Sequence, residues 1–201
     1  MKTIRSVPSP LRSFHFVFAA AFLLAAQIPR VVADQPPSLL PAFGNTGEKF
    51  SSRAKDGHAV HGWLPVGWTN NSSWAAVNAT YSKLDDSPDK EAGAVRVKID
   101  DVDEGHLQLT SFLGNREYKK GVKYVVAGWV RSPDHTAVTV GDREVEEPHA
   151  FYDQMDLPTT SEWKRFEFEF TPEMDCGAWI MFVFNEPGTV DLAGITVHEK
   201  R

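Results

Sequence analysis

The strongest constraint on this chain is strict alternation. In "RFEFEF", Arg165 to Phe170, every second residue is a phenylalanine and the others are charged. Only an extended strand puts Phe166, Phe168 and Phe170 on one face and Glu167 and Glu169 on the solvent side. The same period recurs in "AVRVKI" (94–99) and "HLQLTSF" (106–112), while helical periodicity is almost absent. "KYVVAGWV" (123–130) and "AWIMFVF" (178–184) are apolar on both faces, "AVTV" (137–140) is short, and "TVDLAGITVH" (189–198) closes the series. Turn chemistry separates them: "DEG", "GNREYKKG", "SPDH", "TPEMDCG" and "NEPG". Short strands between regular turn signals indicate an all-β jelly-roll sandwich, two sheets burying the phenylalanine row between them. Residues 141–160 are expected as a long loop contributing to a site.

The first 33 residues differ from the rest. Lys2, Arg5 and Arg12 precede the apolar run 14–26, and Val31 and Ala33 are small residues before a cut, the layout of a secretory signal peptide. A largely apolar run of thirteen residues is too short for a membrane span, which needs about 20. The expectations are cleavage after Ala33, a secreted (extracellular or periplasmic) product with no membrane attachment after cleavage, a flexible arm over 34–44, and one domain over 45–201. The charge of the whole chain is −6; without Lys2, Arg5, Arg12 and Arg30 there remain 17 basic residues against 27 acidic ones, net −10. Such a chain is a poor ligand for nucleic acid or anionic lipid, whose phosphates need cationic neutralisation. Cys176 is the one cysteine. It cannot form an internal disulfide, and it is read as a buried apolar residue.

Candidate chemistry is sparse. His58 and His61 lie three apart in "DGHAVHGWLPVGW" (56–68), but Gly57, Gly62 and Pro65 rule out a helix that would bring them to one side. With no third ligand evident for catalytic zinc, they are read as turn histidines. The acidic residues fall in a turn (100–104), on a strand's solvent side or in the long loop, not as an evident pair across a cleft. "DVDEG" lacks the spacing of an EF-hand loop. Asn70, Asn71 and Asn78 stand in N-x-[ST] sequons. Aromatic residues are numerous: 6 Trp, 4 Tyr and 13 Phe. Flat rings mixed with polar groups are the usual lining of a small-ligand groove. Trp129 and Arg131 share a strand face, Gln108 shares one with His106 and Thr110, and Phe151 and Tyr152 are loop aromatics. Trp129, Arg131, Gln108, Phe151 and Tyr152 are therefore the candidate binding residues.

The order "DGHAVHGWLP", "GHLQLT", "KKGVKYVVAGWVRS", "SEWKRFEFEFTP" and "GTVDLAGITV" resembles the family 4/9 carbohydrate-binding modules over about residues 45–198. The resemblance implies a galactose-binding-like jelly roll and non-catalytic binding of a polysaccharide or oligosaccharide, as in modules associated with secreted glycoside hydrolases; here the module would stand alone and would not be an enzyme. It matches Trp63 to an early tryptophan that caps the core, and leaves Trp68 and Trp74 toward the surface. It matches Asp191 to a terminal aspartate that helps hold a structural calcium ion, the one cofactor in view. Two departures bear on calcium: "NTGEKFSS" has Ser51 where the family has a glutamate, and Leu192 stands where it has a second aspartate. The alternative is a structural or protein-interaction sandwich that has lost the sugar site.

Overall fold

The computed structural model describes residues 37–88, 92–111, 118–145, 147, 149–175 and 178–200. The segment expected to be a signal peptide and Cys176 lie outside them. Apart from a 3-10 turn at Lys55–Gly57, each regular element among the described residues is a strand: β1 Gly47–Arg53, β2 Ala59–Pro65, β3 Trp68–Asn70, β4 Ala76–Leu84, β5 Ala94–Glu104, β6 Leu107–Ser111, β7 Tyr124–Arg131, β8 Thr139–Glu144, β9 Phe151–Asp156, β10 Lys164–Phe170, β11 Ala178–Phe184 and β12 Gly188–Glu199. They form a seven-stranded sheet, β1-β2-β4-β5-β12-β7-β10, and a five-stranded sheet, β3-β6-β11-β8-β9. This is the all-β sandwich that the alternation predicts.

Pairing is antiparallel except between β2 and β4, which run parallel. Gly62 makes that pair possible. Its φ is 129°, and a Cβ there would lie 1.9 Å from the Tyr81 carbonyl oxygen, so only glycine permits the approach.

The core sits between the sheets. Phe166, Phe168 and Phe170 are 2–4% exposed. From the facing sheet come Leu107, Leu109, Ile180, Phe182 and Phe184, all fully buried. Phe166 meets Phe182 edge-on across the gap, with ring centroids 6.2 Å apart. Each such side chain contributes roughly 1.5–3 kcal/mol by leaving water. On β11 the other parity, Trp179, Met181 and Val183, faces outward, since Phe182 pairs with Leu109 while Met181 and Val183 pair with Thr110 and Gln108.

Three local expectations are corrected. The segment after residue 36 is no flexible arm: Leu40 and Phe43 are buried, and the Leu39 amide donates to the Val197 carbonyl at 2.8 Å. Apolar side chains in a Pro-rich stretch anchor it by the same burial that anchors a strand. Residues 141–160 are not one loop but carry most of β8 and all of β9, so Phe151 and Tyr152 are strand residues. Trp68 does not reach the surface but is buried against Phe43 and Phe182. Trp74, at 47% exposure, does.

Candidate functional site

The outer face of the five-stranded sheet carries a groove of about 510 Å³. Strand register builds its floor. Trp179 on β11 stands opposite Arg143 on β8, and Arg143 stands opposite Phe151 on β9. One cross-strand row thus carries an indole, a guanidinium and a phenyl ring. Gly141 gives Phe151 room, since a Cβ at that position would lie 2.8 Å from the ring. The Arg143 guanidinium lies 5.7 Å from the centre of that ring. Arg143 Nε donates to the His149 carbonyl at 2.8 Å, and the His149 ring stacks on Trp179 at 15° with centroids 6.4 Å apart.

The other wall comes from β6 and the segment before β4. His106 precedes β6 and meets Trp74 edge-on at 4.9 Å. Trp74 Nε1 donates to the Asn71 carbonyl at 3.0 Å, which fixes the indole. Gln108 Nε2 lies 2.7 Å from His106 Nε2, and Asn71 Nδ2 donates to Gln108 Oε1 at 3.0 Å. For Gln108 to donate, His106 Nε2 must be unprotonated. Burial holds the His106 pKa below its ordinary value, and the positive charge of Arg143 adds to the effect. The imidazole is then neutral at pH 7, as the hydrogen bond requires.

Of the residues expected from the sequence, Gln108 and Phe151 line this groove. Tyr152 neighbours Phe151 on β9, and its hydroxyl donates to Glu144 Oε1 at 2.5 Å. Trp129 and Arg131 are on β7, in the other sheet, so the structure does not bring them together with Gln108. Arg131 is committed elsewhere. It stacks on Trp163 at 4.5 Å and its Nε donates to Asp191 Oδ2 at 2.7 Å. Asp191 is fully buried, and Arg96 donates to both of its oxygens, at 2.8 and 3.0 Å. The residue expected to hold calcium is thus the anionic centre of a two-arginine cluster. Guanidinium groups stand where a cation would need the same lone pairs, and Asp191 as placed here does not fit the ion.

The groove residues missed from sequence are Asn71, Trp74, His106, Arg143, His149 and Trp179. Trp179 had a usable signal, because in "AWIMFVF" it has the opposite parity to Ile180, Phe182 and Phe184. His149 and Arg143 had none, since their approach depends on the pairing of β8 with β9 and β11. A second cleft, about 440 Å³, opens between the edge strands β1 and β3. Its tryptophan, Trp68, is 6% exposed and offers no free face.

The sequence matches no protein-family model and no curated protein. Solved structures share its fold. One is the apo module BiXyn10A CBM1, at 14% identity, covering 82% of this chain and 100% of that one, with a TM-score of 0.50. Another is the CBM22-1–GH10 pair of modules from the Clostridium thermocellum endo-1,4-β-D-xylanase 10B, complexed with xylohexaose, at 12% identity over 67% of this chain, with a TM-score of 0.50. A third is the enzymatically active domain of bacteriophage CBA120 tailspike protein 4, at 12% identity over 67% of this chain, with a TM-score of 0.52. The alignments span 26% of that xylanase chain and 20% of that tailspike chain. The fold is therefore a β-sandwich of the kind found in carbohydrate-binding modules.

Proposed function

We propose that the chain is a secreted, non-catalytic carbohydrate-binding module, and that the groove on the five-stranded sheet holds a polysaccharide or oligosaccharide chain. One observation carries this reading: the indoles of Trp74 and Trp179 and the ring of Phe151 line a single open groove with Gln108, Asn71 and Arg143. A pyranose presents a C–H face to a flat ring and hydroxyls at its rim. Rings supply the first contact, and the amides and guanidinium supply hydrogen bonds to the second. The sandwich fold agrees with it, as does the resemblance to family 4/9 modules. None of the described residues lining the groove is a carboxylate, the group that glycoside hydrolysis requires in pairs.

The test is affinity electrophoresis of the full chain through gels containing β-1,4-xylan, β-glucan or mannan, with a glycan array for short chains. Xylan comes first because the similar xylanase modules were solved with xylohexaose. Retardation that Trp179→Ala abolishes supports the reading. Free migration in every gel with no array signal overturns it in favour of an interaction sandwich.

A further inference from the structure

His58 is held in an unusual way. The 3-10 turn before β2 puts Asp56 at φ 55° and Gly57 at φ 84°, and the chain reverses so that His58 Nδ1 lies 2.9 Å from the Lys55 carbonyl oxygen. A carbonyl only accepts, so Nδ1 carries the proton and, in the neutral ring, Nε2 presents a bare lone pair. That lone pair faces Asp101 Oδ1 at 3.3 Å and Asp103 Oδ2 at 3.0 Å. The ligand atoms of the three residues all lie within 4.8 Å of one another. Either a proton on Nε2 shared with the two carboxylates or a cation seated between three acceptors would neutralise this convergence.

The surroundings favour a metal ion in that role. The neighbouring carboxylates are already compensated: Lys55 pairs with Glu104, and Lys98 with Asp100 at 2.6 Å. Among the described residues no lysine or arginine pairs with Asp101 or Asp103. Asp101 is also oriented from behind. Asn78 Nδ2 donates to both of its oxygens, at 3.2 and 3.1 Å, and Asn78 Oδ1 accepts from the Ala59 amide at 2.8 Å. A histidine with its second nitrogen on a carbonyl and a carboxylate steadied by an amide are the outer supports that metal ligands use. Irregular pairing of β5 with β4, at Ala76/Val77 and Asn78/Ala79, leaves Asp103 and Asp100 as the extra residues of β5. Such bulges re-aim side chains.

We propose that His58, Asp101 and Asp103 bind a divalent transition-metal ion, zinc in the first instance, with the remaining coordination position open to water. Zinc bonds of about 2.0–2.2 Å in a tetrahedron set donor atoms about 3.3 Å apart, close to the two histidine–carboxylate distances of 3.3 and 3.0 Å. The imidazole selects against calcium and magnesium, which take oxygen donors. His58 is 14% exposed, Asp101 40% and Asp103 69%, so an ion enters from the Asp103 side. Bound there, it would pin the end of β5. Gly105, two residues past Asp103, has φ 79°, and the Trp74 ring occupies the space its Cβ would need, so the chain leaving the site runs against one wall of the groove.

The experiment is a zinc titration of the untagged, metal-free full chain, followed by calorimetry and by thermal melting. Saturable uptake of one ion, with a Tm that climbs with zinc concentration, is the expected result. Asp103→Asn and His58→Gln should each weaken uptake more than tenfold, whereas His61→Gln should leave it unchanged. Asp103 is mostly exposed, so its variant keeps the fold even if His58→Gln does not. Absence of saturable uptake by the wild type, or equal uptake by Asp103→Asn, overturns the assignment and leaves His58 as an imidazolium shared between two carboxylates.

Discussion

The buried carboxylate of Asp191 accepts a hydrogen bond from Arg131 Nε at 2.7 Å, and this pair ties β12 to β7 on the outer face of the seven-stranded sheet. Arg96 completes the cluster from β5, and Asp86 takes the other end of the Arg131 guanidinium at 2.6 Å. Removing the central charge leaves two guanidiniums facing each other. Asp191→Asn should therefore destabilise the fold by roughly 3 kcal/mol, the lower end for a broken buried pair because Arg96 remains partly hydrated. In melting experiments that is a fall in Tm of roughly 6–12 °C. Calcium added to the metal-free wild type should leave Tm where it is, since the arginines hold the carboxylate.

Asp142 gives the fold a dependence on pH of unusual sign. It is fully buried on β8, neither carboxylate oxygen has a hydrogen-bond partner, and burial, with Asp153 and Glu144 nearby, pushes its pKa up to about 8 from 3.8. A pKa raised by folding means that the native state holds the proton more tightly. This contribution to stability is complete below pH 3.8 and drains away as pH rises toward 8, at up to about 1.4 kcal/mol per pH unit. Asp142→Asn mimics the protonated form and removes the titration. The variant should melt close to the wild type at pH 3.5, below the unfolded pKa, and clearly above it at pH 8.5. Equal melting differences at the two pH values would show that Asp142 does not titrate in this window.

The phenylalanine row makes the third case. Phe168 is 3% exposed and stacks beside Phe170 at 6.0 Å between the sheets. Phe168→Ala should cost about 3–5 kcal/mol, as large-to-small changes in a packed core do. Glu167→Ala, one residue away on the solvent face, should cost under about 0.5 kcal/mol. Denaturant midpoints of the two variants check the alternation directly.

Much of this sandwich was legible because strand parity is written into sequence. The rows 94–99, 107–111 and 165–170 could be read from their period, and 124–130 from its continuous apolar run between turn signals. The first four strands were not, because Gly62, Pro65 and Gly67 break the pattern that a parallel β2–β4 contact and a short edge strand need. The site was legible only in part. Gln108 and Phe151 were found by residue type, but which sheet a strand joins is set by pairing, and pairing put Trp129 and Arg131 in the opposite layer. Sequence alone reads His58 as a turn residue for a related reason. Its partners, Asp101 and Asp103, arrive from β5, more than forty residues along the chain.

That separation of layers yields the sharpest test of the proposed groove. Trp179 lines the groove of the five-stranded sheet, and Trp129 belongs to the seven-stranded one. A ring that anchors a ligand in a desolvated contact is worth about 2 kcal/mol or more, some thirtyfold in affinity. Trp179→Ala should weaken binding to the best polysaccharide by at least about tenfold. Trp74→Ala, whose indole is more exposed, should show a smaller loss. Trp129→Ala should bind as the wild type does, with any effect confined to stability. Affinity measured by calorimetry and Tm measured in parallel separate the two kinds of loss. Should Trp129→Ala abolish binding at unchanged Tm while Trp179→Ala binds normally, the ligand lies on the seven-stranded sheet and the groove assignment fails.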